Sequence, residues 1–112
     1  MNILHKIAIL HNINKNKNNV EYSFSKNKEE KSSPVVHRVT INQDGSFVSI
    51  QMHRDYYLDT FFDLRYYFPG QPERSILPCK QSFFDKLFIS KMYGKMLNNY
   101  IAKKGMPNNK SR

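Results

Sequence analysis

Apolar and polar residues alternate on both sides of Asp44-Gly45. Val35, Val39 and Ile41, with His37 in phase, precede it, and Val48, Ile50 and Met52 follow it. A period of two is that of a half-buried strand, and Asp-Gly supplies the positive φ of a tight turn. Residues 35–53 therefore predict a β-hairpin. A two-residue loop pairs Ile41 with Val48, Val39 with Ile50 and His37 with Met52, gathering the apolar set on one face. A four-residue loop, Asn42 to Gly45, keeps the same parity, whereas a three-residue loop with a glycine bulge scatters the set over both faces and is rejected.

Val20, Tyr22 and Phe24 share a face of a third strand. The first ten residues read two ways: Ile3, Ile7 and Leu10 suit a helix, and Ile7 to Leu10 suits a short strand, which is preferred and gives the sheet a fourth member. Residues 11–19 and 25–33 offer little to bury and are expected as mobile loops. Over 55–68 the alternation fails at Phe61-Phe62 and Tyr66-Tyr67. A helical wheel puts Tyr57, Leu58, Phe61, Leu64 and Phe68 on one face and Asp55, Asp59 and Asp63 on the other, so a helix is predicted, capped by Asp55 and stopped by Pro69-Gly70.

The last element is a helix over 80–104, closed by Gly105 and Pro107. Its apolar stripe drifts. Phe83, Phe84, Leu87 and Phe88 lie on one side, while Ile89, Met92, Tyr93, Met96, Leu97 and Tyr100 centre on nearly the opposite one, so either the helix breaks near Ser90 or Gly94 or its two halves bury against different surfaces. The first half goes to the sheet. The surface around Met92, Met96 and Tyr100 is expected to meet another chain, a homo-oligomer being the simplest case. The expected architecture is α+β, a small three- to four-stranded antiparallel sheet covered on one face by two helices, with 1–105 as a single domain and 106–112 as a disordered basic tail.

Composition adds the compartment and the partner. The chain has 112 residues, 39% of them hydrophobic, and its single cysteine, Cys79, excludes an internal disulfide and a cysteine-rich zinc site. No run approaches the roughly 20 apolar residues of a membrane span. His5 and Lys6 interrupt the N-terminal apolar segment, which argues against a signal peptide. A cytoplasmic protein with no membrane partner is expected.

The net charge of +9 is uneven: +3 over residues 1–33, −1 over 34–79 and +7 over 80–112. Lys91 and Lys95 share an exposed helical face that Lys103, Lys104, Lys110 and Arg112 extend, a pattern suited to phosphates or to an acidic protein surface. A small basic nucleic-acid-binding accessory protein is therefore the leading expectation. The alternative is a protein-interaction module, an inhibitor or assembly factor, using Met92, Met96 and Tyr100 or the row Asp55, Asp59 and Asp63. A toxin-like ribonuclease built on Arg54, His53 and Arg38 ranks third. On a helix the aspartate row would span about 11 Å, too far for three ligands of one ion. No zinc spacing, nucleophile–base pair or glycine-rich phosphate loop is present, so no metal, cofactor or catalytic residue is assigned. No family is recognised.

Overall fold

A computed structural model describes residues 1–24, 35–39, 41–54 and 59–104. Helix α1 (Ile3–Lys15) and a 3-10 turn (Lys17–Asn19) lead into five strands: β1 (Val20–Phe24), β2 (Val35–Val39), β3 (Phe47–Arg54), β4 (Thr60–Tyr67) and β5 (Arg74–Ile76). A second 3-10 turn (Pro78–Lys80) precedes helix α2 (Phe83–Lys104). The strands form one antiparallel sheet in sequence order. The α+β class with an antiparallel sheet and two helices is as expected, but the sheet has five strands and its helices differ from the pair foreseen.

The hairpin of β2 and β3 is present, with Val35 opposite Met52, His37 opposite Ile50 and Arg38 opposite Ser49. This is the register of the four-residue loop, two residues away from the tight one. Gly45 N donates to the Asn42 carbonyl at 2.8 Å, Asn42 N donates to the Ser46 carbonyl at 3.1 Å, and Gly45 takes φ +89°. Ser46 N donates to the Asp44 carboxylate at 2.9 Å, and the Asn12 and Asn42 amides both donate to the Ser46 hydroxyl. These bonds hold a wider loop than Asp-Gly alone predicts. Parity survives, so Val39, Val48 and Ile50 are all buried, while Ile41 lies beyond the ladder and is exposed.

Residues 60–67 are a strand and not part of a helix; residues 55–58 lie outside the described residues. Phe62, Leu64 and Tyr66 face the core opposite Met52, Ile50 and Val48, and Phe61, Asp63, Arg65 and Tyr67 face away. Alternation fails because both faces carry aromatics. Phe61-Phe62 and Tyr66-Tyr67 each put one ring on either side, and an aromatic run of this kind favours a pleated sheet. Pro69-Gly70 then makes the turn to β5, with Gln71 N donating to the Phe68 carbonyl at 3.1 Å and Gly70 at φ +84°.

The N-terminal segment is helical. The Asn2 side chain accepts from His5 N at 2.8 Å as an N-cap. The helix continues through residues expected as loop, because Ile9, Asn12, Ile13 and Asn16 recur at helical spacing and are buried. Ile9 and Ile13 join Val20, Val39, Val48, Ile50, Leu64, Tyr66, Ile89, Met92, Tyr93 and Met96 in one cluster under one face of the sheet.

The part of α2 that meets the sheet is its middle and not its first turns. Ile89, Met92, Tyr93 and Met96 fill the core, so Met92 and Met96 do not form a partner surface, and Tyr100 is half-buried against Tyr22 with ring centroids 5.0 Å apart. Phe83, Phe84 and Leu87, expected on the sheet, are exposed. The helix meets the sheet with its middle, and the stripe that drifts away at its start is left outside. Both helices run in the same direction: the Met1 amino group and Lys6 reach Asp85 near the start of α2, and Lys103 near its end donates to the Asn18 carbonyl.

Candidate nucleic-acid interface

A straight helix turns 100° per residue, so burying Ile89, Met92 and Met96 aims Lys91 outward, with Lys95 at the flank of the same surface. Lys91 is exposed and Lys95 half-buried. One turn separates them, about 6 Å along the axis. Lys103 and Lys104 follow at the end of the helix, both exposed. Lys110 and Arg112 lie outside the described residues.

Two further lysines, from the segment 11–19 expected as a loop, stand at this end. Lys15 closes α1 and Lys17 opens the turn after it, and both are exposed. The contact of Lys103 with the Asn18 carbonyl brings that turn against the end of α2. Among the described residues, none of Lys15, Lys17, Lys91, Lys95, Lys103 and Lys104 is in an ion pair. The signal for Lys15 and Lys17 was the helical spacing of Ile9 and Ile13, which carries α1 to this end of the molecule.

Asp44, in the β2–β3 loop beside the end of α1, feels the charge of Lys15 without forming an ion pair with it. Asp59, Asp63, Glu73 and Asp85 lie elsewhere. Asp85 is buried and paired with the Met1 amino group and Lys6, each at 3.2 Å. The row Asp55, Asp59 and Asp63 does not exist as a helical stripe: Asp59 precedes β4, Asp63 lies on it, and Asp55 is outside the described residues. Asp63 Oδ2 is 2.9 Å from His53 Nε2, and Glu73 pairs with Arg65 at 3.4 Å.

His53, Asp63 and Arg65 belong to the other face of the sheet. There Arg38, Ser49, Arg65 and Ser75 form a polar row across four strands, flanked by the stacked pairs Phe47–Tyr67 and His53–Phe61. Tyr67 thus presents a ring outside the core, whereas Tyr66 is buried and hydrogen-bonded to His5 Nδ1 at 2.9 Å. The His53–Asp63 contact orients an imidazole but brings no serine, threonine or cysteine into an ion pair or hydrogen bond with it among the described residues. Of the trio Arg54, His53 and Arg38, the strands β3 and β2 carry His53 and Arg38, and the Arg54 side chain lies outside what is described.

An open cleft of about 810 Å³ lies between the start of β4, the Pro78–Lys80 turn and the first half of α2, lined by Phe61, Phe62, Leu77, Leu87 and Lys86 among others. Its wall is mostly apolar, with Asp59, Gln81 and Lys86 among the polar groups along it. Among the described residues, no group of three histidine, cysteine or acidic side chains is placed to hold a metal ion. No helix of the described residues is long and apolar enough to cross a membrane. Comparison with protein-family models, curated proteins and solved structures finds no match to this chain.

Proposed function

We propose that this chain is a small basic nucleic-acid-binding accessory protein whose helical layer contacts phosphates at its lysine-bearing end. One observation carries the reading. Lysines far apart in the sequence, Lys15 and Lys17 on one side and Lys103 and Lys104 on the other, gather at one end of the fold, none of them in an ion pair among the described residues. Lys91 and Lys95 continue that surface along α2. Ammonium groups so placed neutralise phosphates and release counterions, a sequence-independent contact with steep salt dependence.

The test is fluorescence anisotropy with a labelled generic duplex and a labelled single strand. With about six phosphate contacts, raising salt from about 50 to about 200 mM is expected to weaken duplex binding by about 10³-fold. The double variant Lys91→Glu with Lys95→Glu is expected to abolish binding while leaving the fold intact, because neither side chain is in the core. Absence of binding, or binding indifferent to salt, ends the reading.

A further inference from the structure

Six large apolar side chains stand uncovered on the helical layer: Ile3, Leu4 and Ile7 of α1, and Phe83, Phe84 and Leu87 of α2, each between 50% and 72% exposed. On each helix they occupy the N-terminal half. Because α1 and α2 run side by side in the same direction, the two apolar halves fall at the same end of the molecule. The Lys6–Asp85 pair and the Lys6 ammonium, 5.5 Å from the centre of the Phe88 ring, tie these turns together. Ile3 then lies on the side of α1 nearer α2, and Phe84 on the side of α2 nearer α1, so the six make one surface.

We propose that this surface is the interface of a homodimer, in which each copy lays the first halves of its two helices on those of the other about a two-fold axis. At the areas typical of such side chains the six expose on the order of 800 Å², the share per partner of a standard specific interface. Monomeric proteins rarely leave an apolar patch of this size in water. None of the six carries a charge, so the matching surface must itself be apolar, and a second copy supplies one of the same size and shape. The two-fold arrangement is also compatible with the net charge of +9 on each chain. The lysines at the end of α2 lie about 25 Å along the helix from the patch. A two-fold axis through the apolar end can therefore hold the two basic ends apart by several times the roughly 8 Å Debye length of physiological salt. Such an isologous contact closes on itself and stops at two copies.

Sedimentation equilibrium between about 1 and about 200 µM tests the proposal on the whole chain. Twice the 13.3 kDa mass of the chain is expected at the upper end. Phe84→Glu and, separately, Ile7→Lys are each expected to raise the dissociation constant at least tenfold, with an unchanged far-ultraviolet circular dichroism spectrum. Should either charged variant lose its fold, Ile7→Ser with Phe84→Ser reads the same loss of association. A wild-type mass of 13.3 kDa at every concentration overturns the proposal, as does a dimer that persists in the folded variants. Flotation with vesicles of phosphatidylcholine and phosphatidylserine by a protein that stays monomeric would assign the patch to a lipid surface instead and equally overturn it.

Discussion

Asp85 sits at the join of the two helices, where its carboxylate takes the Met1 amino group and Lys6 in a site almost closed to water. Burial alone would raise its pKa, but the hydrogen bonds from Lys6 and the amino group, and their charges, outweigh that and hold it below the ordinary carboxylate range. A carboxyl depressed in the folded state contributes stability above its unfolded pKa of about 4, and the contribution fades as pH falls through the folded value. Asp85→Asn is therefore expected to cost about 2 kcal/mol at neutral pH, because it leaves two cations facing a neutral amide. The cost should shrink as pH falls through the folded-state value, where the wild-type carboxyl takes up its proton, and urea titrations at neutral and acidic pH measure the difference. The tyrosines follow the opposite logic. Burial pushes the Tyr93 phenol up, with the neighbouring Tyr22 adding to it, so Tyr93 stays neutral across the physiological range.

At the scale of elements, α2 decides which apolar side chains are core. Met96 is fully buried and Met92 nearly so, while Phe83 and Phe84 face water. Met96→Ala is expected to destabilise the protein by about 2–5 kcal/mol. Met96→Asp is expected to unfold it, and chemical denaturation followed by circular dichroism checks both. The drift of the stripe was legible in the sequence; which half met the sheet was not, since both halves are equally apolar and periodicity carries no address. Strand β4 was misread for a related reason. Phe61-Phe62 and Tyr66-Tyr67 mimic a helical stripe when a strand is aromatic on both faces. The hairpin was legible because Val39, Val48 and Ile50 are buried on one face only. The lysines at the end of α2 were equally plain, but their companions Lys15 and Lys17 depended on a helix whose spacing Asn12 and Asn16 complete with buried polar side chains.

At the scale of the whole molecule, the principal extents are 42 × 31 × 19 Å, the short one being the depth of a sheet and a single layer of helices. Two surfaces with different chemistry share the outer side of that layer, an apolar one where the helices begin and a lysine-bearing one where they end. The proposed dimer rests on the apolar side chains and the proposed phosphate contacts on the lysines, and the two surfaces meet at Lys91, one turn beyond Leu87 on α2.

The meander between residues 20 and 76 is finished long before the last helix has been made, yet Ile89, Met92, Tyr93 and Met96 are what close the space beneath it. On the ribosome, then, Val39, Val48, Ile50 and Leu64 wait in water with only α1 for cover until the codons of α2 are read. A polypeptide ending at Lys80 should be recovered in the pellet or bound to chaperones. Its recovery as a soluble species with cooperative melting would mean that α1 and the strands suffice by themselves.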